Sequence, residues 1–175
     1  MEQPLITAVT HSVSEARVTL VGVPDEPGAA ARIFDALAQV SVNVDMIVQN
    51  APVSAGGPAE ISFTVPREDL RDALAALQPL AGRSFVDMDT HQEMGKVSIV
   101  GAGMRSHPGV AAKVFGVLAG EGVNIDMIST SPIKISCVIA RDRVEQAVRA
   151  LHGAFGLSGA GTLGEEEPVR APRAL

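Results

Sequence analysis

The chain has no tryptophan, no tyrosine and one cysteine among 175 residues. Without Trp or Tyr it lacks the aromatic platforms on which single-stranded nucleic acids stack. A lone Cys137 excludes an intrachain disulfide and a thiolate metal cluster, and suits a reducing, cytoplasmic setting. The four histidines, His11, His91, His107 and His152, show no HxxxH or HExxH spacing. The net charge is −6 and no basic cluster stands out, which argues against nucleic acid, whose phosphates need Lys and Arg. No run approaches 18 consecutive apolar residues, and MEQPLITAV lacks a basic stretch ahead of an apolar one, so neither a membrane span nor a secretory signal is expected. Apolar residues nevertheless make up 46%, enough for a packed core.

What the chain does have is itself, twice. PGAAARIFDALAQVSVNVDMI (Pro27–Ile47) aligns without gaps to PGVAAKVFGVLAGEGVNIDMI (Pro108–Ile128) with 12 of 21 positions identical, too many for chance resemblance between two helices. Upstream, VTLVGV (Val18–Val23) matches VSIVGA (Val97–Ala102). A unit of about 80 residues is too long for a solenoid repeat and suits two copies of one small domain.

Each copy reads strand, helix, strand, strand, helix. In the first, Val18–Val23 is a β-branched run closed by the turn PDEPG. Ala30, Ile33, Phe34, Leu37 and Ala38 then mark a helical face. Val42–Val48, Ile61–Val65 and Ser84–Met88 are expected strands, with Pro66–Leu77 an amphipathic helix and NAPVSAGGPAE a mobile hairpin loop. The second copy gives Lys96–Gly101, a helix over Gly109–Ala119, strands Val123–Ser129 and Ile133–Ala140, and a helix over Arg141–Phe155. No fourth strand follows; the Gly- and charge-rich end reads as a flexible tail. Leu5–Thr10 is strand-like and has no place in the first copy, so it is expected to complete the sheet of the second. The fold expected is α+β: two ferredoxin-like βαββαβ domains, 13–91 and 92–157 plus the N-terminal strand 4–11, with 158–175 as the tail.

Catalytic machinery is not evident. Gly101-Ala-Gly103 follows a strand, but Ser106 stands at the third glycine position and no acidic residue follows at the spacing a dinucleotide site needs. Ser84, Ser98 and Ser106 have no nucleophile-elbow context. Cys137 lies on an alternating strand and reads as a small core residue. Asp45 and Asp126 are repeat equivalents and read as mid-strand, which fits a shared structural or ligand-facing role better than catalysis. The junction of strand, Pro-Gly and helix occurs twice. There the first helical N–H groups are free to meet an anion such as an amino-acid carboxylate, and Asp25 beside them could receive an ammonium or hydroxyl. Ordinary helix entry accounts for the same residues, and the residues alone leave both open.

DEPGAAARIFDALAQVSVNVDMIVQN and GAGMRSHPGVAAKVFGVLAGEGVNIDMISTSPIKISCVI resemble the paired ACT domains of aspartate kinases, in particular their separate regulatory β subunit, over roughly Leu5 to Leu157. The resemblance implies a non-catalytic regulatory part. It implies feedback inhibition by threonine, with lysine as a further candidate, bound between ACT domains of two chains paired side by side as a homodimer. It also implies a catalytic α subunit as partner in an α2β2 assembly, which would hold the ATP and Mg; this chain would carry no cofactor. Carried over, the first effector site would use Asp25, Gly28, Ala29, Ala30, Asn43 and Gln49, with Asn124 and Ile125 from the partner ACT domain. The equivalent site would use Met104, Ser106, Gly109, Val110, Asn124, Asp126 and Ser129, with Asn43 and Val44 from the facing copy. Ser106-His107 stands where the first copy has Asp25-Glu26, so the two pockets would differ chemically. A stand-alone ACT sensor acting on another partner is the alternative.

Overall fold

The computed structural model describes residues 5–52, 57–102, 109–157 and 164–165. Two strands are far longer than their local signals. β1 runs over Leu5–Val23 and β4 over Asp87–Ala102, so LITAVT and VTLVGV are one strand, as are the end of the first copy and the start of the second. Nothing between them breaks the backbone: HSVSEAR and THQEM contain neither Gly nor Pro. The chain divides into two compact units, and the division falls inside both strands, at Val13/Ser14 and Gln92/Glu93.

The first unit, Ser14–Gln92, has strand order β2-β3-β1-β4, with α1 (Ala29–Gln39), β2 (Ile47–Asn50), β3 (Ala59–Pro66) and α2 (Leu70–Leu77). β1 pairs antiparallel with β3 from Glu15↔Pro66 to Val23↔Ala59, and the register slips between Val21 and Val23. Gly22 sits in that slip at φ +78°, where a Cβ would stand 2.5 Å from the Val86 side chain, so both the conformation and the space require glycine. Ala16, Val18 and Leu20 alternate toward the core, where Ile61, Phe63 and Val65 join them from β3. α1 covers them with Ala29, Ile33 and Leu37, α2 with Leu70, Ala73 and Leu77. Phe34 meets Phe63 edge to face at 5.5 Å.

The second unit uses the described residues up to Val13 and from Glu93 onward, in the order β1-β4-β6-β5, with α3 (Gly109–Gly120), β5 (Met127–Ser131), β6 (Lys134–Ala140) and α4 (Val144–Ala154). Counted along the second copy, the N-terminal half of β1 takes the place of the absent fourth strand. Val9 is fully buried among Val97, Ile99, Ile139, Val144 and Leu151, and Thr7 Oγ1 donates to the Val100 carbonyl at 3.2 Å. Full burial of one such side chain stabilises by about 1.5–3 kcal/mol. Close packing at this seam is enforced at Gly95, where a Cβ would collide with Val144 and lie 2.9 Å from the Ser12 carbonyl oxygen.

Duplication extends to fine detail. α1 and α3 end in the same Schellman turn: Val42 N–H reaches the Leu37 carbonyl at 3.1 Å, Val123 N–H the Leu118 carbonyl at 2.9 Å. The left-handed residue of that turn is Gly122 at φ +66° in one copy and Ser41 at φ +58° in the other. Each unit carries a buried hydroxyl pair at 2.9 Å, Thr19 with Ser62 and Ser98 with Ser136.

Several expectations need correction. The expected strands Val42–Val48 and Val123–Ser129 start late, at Ile47 and Met127, because the residues before them complete the Schellman turns. Asp45 and Asp126 are therefore not mid-strand. They precede β2 and β5, their N–H groups bonded to the Thr64 and Val138 carbonyls. Ser84–Phe85 belong to a turn closed by Gly82 N–H on the Phe85 carbonyl, and β4 begins at Asp87. Both second helices open with a 3-10 turn, Arg67–Asp69 and Arg141–Arg143. Ile133 is 60% exposed, outside the core pattern of β6. Within the tail, Gly164–Glu165 form a two-residue strand, β7, parallel to Thr10–His11, so these two residues are paired; the rest of 158–175 lies outside the described residues. The hairpin loop proposed around NAPVSAGGPAE likewise falls partly outside them.

Two outcomes follow. Deleting residues 1–12 should open the second unit first: hydrogen exchange should rise across 93–157 while 29–77 stays protected, and the reverse pattern would contradict the strand assignment. Ser41→Gly should stabilise by about 0.5–1 kcal/mol through relief of the left-handed penalty, read from denaturant midpoints.

Candidate functional site: a strand–helix junction

At the first junction the chain leaves β1 at Val23 and enters α1 through Gly28, whose φ of +94° and ψ of −9° a side chain would strain. The Glu26 carbonyl accepts from Ala29 N–H at 3.2 Å. No side chain caps the helix and none in its first turn is acidic, so the Ala30 and Ala31 amides lack a side-chain acceptor. Glu26 is drawn away, its Oε1 2.7 Å from Arg32 in an exposed ion pair. Asp25 is exposed, and its carboxylate bonds no described residue. An uncapped helix N-terminus thus lies three residues along the chain from an exposed carboxylate that bonds no described residue.

The pairing Val23↔Ala59 puts this junction at the end of the sheet where Gln49 and Asn50 oppose Ile61 and Glu60. Asp25, Gly28, Ala29, Ala30 and Gln49 therefore share one end. Asn43 and Val44 do not: they follow the C-terminus of α1, about 16 Å away along its 11 residues, beside Asp45, which bonds Thr64. The second unit repeats the division. Gly109 and Val110 open α3, whereas Asn124, Ile125 and Asp126 lie beyond its C-terminus; Ser129 is exposed on β5 opposite Ser136. Met104 and Ser106, with the Ser106-His107 departure, lie outside the described residues. Within one unit, then, the junction residues and the residues entering the edge strand occupy opposite ends.

Two residues of this region escaped the sequence reading. Arg143 and Gln146 of the α4 entry donate to the loop that leads to Asn124: Arg143 Nη2 to the Glu121 and Gly122 carbonyls at 3.4 and 3.2 Å, Gln146 Nε2 to the Glu121 carbonyl and Oε2 at 3.1 and 2.8 Å. Aligning the copies beyond the first helix would have flagged them, since Asp69 and Asp72 stand at their places in the first copy.

Among the described residues no group of three or more His, Cys, Asp or Glu is placed to hold a metal ion, and no helix is long and apolar enough to cross a membrane. Cys137 is buried in the second core, and burial raises its thiol to about 11.

A family model described as ACT domain matches residues 18–79 and again 97–155. A chain in the crystal structure of aspartokinase alpha and beta subunits is 45% identical, with a TM-score of 0.79 over 86% of this chain and 99% of that one. The regulatory subunit of aspartate kinase from Thermus thermophilus, in its ligand-free form, is 40% identical with a TM-score of 0.80 at the same coverage. The chain belongs to the regulatory ACT-domain pairs of aspartokinases. Among full-length relatives, the aspartokinase of Mycolicibacterium smegmatis is 49% identical over 162 residues, 91% of this chain and 38% of that protein. That of Pseudomonas aeruginosa is 47% identical over 168 residues, 94% and 40%. The chain thus spans about two-fifths of the length of these aspartokinases. Each ACT match begins in the strand leading to a Pro-Gly junction and ends at the second helix of its unit.

At pH 8 a thiol near 11 is ionised to only about one part in a thousand. Cys137 should accordingly resist alkylation in the folded ACT pair and react on unfolding; rapid labelling of the native chain would contradict its burial.

Proposed function

We propose that this chain is the regulatory part of an aspartokinase and that it binds threonine, with lysine as a further candidate, to inhibit the first step of the aspartate-family pathway. The observation that carries the reading is the first junction, where Asp25 stands uncommitted beside the uncapped start of α1. The effector's carboxylate would face the Ala30 and Ala31 amides, and Asp25 would take its ammonium or hydroxyl. Zwitterion and site are complementary in charge, and bonds to charged groups are the stronger kind.

Asp25 belongs to the first ACT domain and Asn124 and Ile125 to the second, so a site that uses all three draws on two domains. In this proposal the second domain belongs to a partner chain in a side-by-side homodimer, and the effector closes the contact. An effector shifts the kinase only by its preference for one arrangement. Threonine bridging two chains favours the closed arrangement, in which the catalytic α subunit, the holder of ATP and Mg, is inactive.

Asp25→Ala removes the carboxylate from an exposed position without touching the core. Calorimetric titration with threonine should show a loss of affinity of about tenfold or more; unchanged binding would reject the assignment.

A further inference from the structure

We infer that Arg143 and Gln146 are positioning residues for the effector site: they clamp the α3–β5 loop so that Asn124 is presented in a fixed place. This rests on the effector reading above, in which Asn124 reaches a ligand held at Asp25.

The loop is short and held at every step but one. Its first two residues, Glu121 and Gly122, offer their carbonyls to Arg143, and Gln146 grips both the carbonyl and the carboxylate of Glu121. Val123 is buried and bonds back to Leu118. Ile125 packs against the second core, and Asp126 N–H bonds the Val138 carbonyl at 2.8 Å. Between them only Asn124 is exposed with a side chain that bonds no described residue. A guanidinium is suited to this place twice over. Its planar fork can meet two neighbouring carbonyls at once, and its charge lies at the negative end of α3.

The first copy lacks the device. Asp69 and Asp72 occupy the equivalent positions, and a carboxylate cannot donate to a helix-terminal carbonyl. Asn43, the repeat equivalent of Asn124, is half-buried and already engaged. The copies are therefore specialised: the first carries the acid, Asp25, and the second a clamped loop that offers its asparagine outward. Ordering that loop before the effector arrives removes its ordering cost from binding.

The test uses the full 175-residue chain carrying Arg143→Met and Gln146→Leu together, with retained secondary structure and melting checked by circular dichroism. Two readouts are expected. Amide exchange over Val123–Ile125 should accelerate, and threonine affinity should fall about three- to tenfold. In an Asn124→Ala background the same pair of substitutions should cause no further loss, because the clamp acts through that side chain. Unchanged exchange overturns the clamp. Accelerated exchange with undiminished affinity, or a loss that adds in full to that of Asn124→Ala, overturns its positioning role. A wild-type chain that takes up no threonine fails the effector reading itself, whereas the exchange measurement still decides whether the clamp exists.

Discussion

The pairing of β1 with β4 is the constraint on which the two units depend. Each unit needs four strands, and each takes two of them from this one ribbon. Without the N-terminal half of β1, the second unit would have β4 as an open edge and Val9 missing from its core. The contact is remote in sequence. Thr7 meets the Val100 carbonyl across 93 residues, so the N-terminal half of β1 finds its partner only after the whole first unit has been made. Such closure is entropically expensive and slow relative to local helix formation. What offsets the cost is apolar burial in both units together with the Gly95 seam, where the Val144 side chain and the Ser12 carbonyl leave no room for a Cβ.

Duplication gives two copies that agree wherever the fold demands it and differ where chemistry is at stake. The Schellman exits, the buried hydroxyl pairs and the anchoring of Asp45 and Asp126 to the neighbouring strand recur in both. The acid of the first junction and the Arg143–Gln146 clamp occur once each. In the proposed reading that division has a use, since an effector bridging two domains would meet different groups on its two sides.

Much of the fold was legible. The stripe Ile33–Leu37 and its equivalent Val114–Leu118 place the first helices, and the orphan run LITAVT announces a strand in search of a sheet. The late start of β2 was not legible: Val42 and Val44 are β-branched, but the backbone there is committed to the helix exit and to the Leu37 carbonyl. Nor was the continuity of β1 and β4, because absence of a breaker is a weaker signal than its presence. At the first junction, the turn chemistry of PDEPG announces the helix entry through Gly28 with Asp25 ahead of it. That Glu26 is diverted to Arg32 was not legible, nor that Asn43 lies a helix length from Asp25, since both depend on packing directions that spacing does not encode.

A site shared between two chains makes a demand that no single-chain pocket makes. Asp25→Ala and Asn124→Ala chains, each weakened in threonine binding alone, should complement one another when mixed. A heterodimer pairs the intact Asp25 of one chain with the intact Asn124 of the other. In a symmetric dimer randomly reassorted, about a quarter of the sites should recover threonine binding in a calorimetric titration of the mixture. Recovery of wild-type affinity at that fraction of sites is the result this account predicts; a mixture that binds as weakly as its components would contradict it.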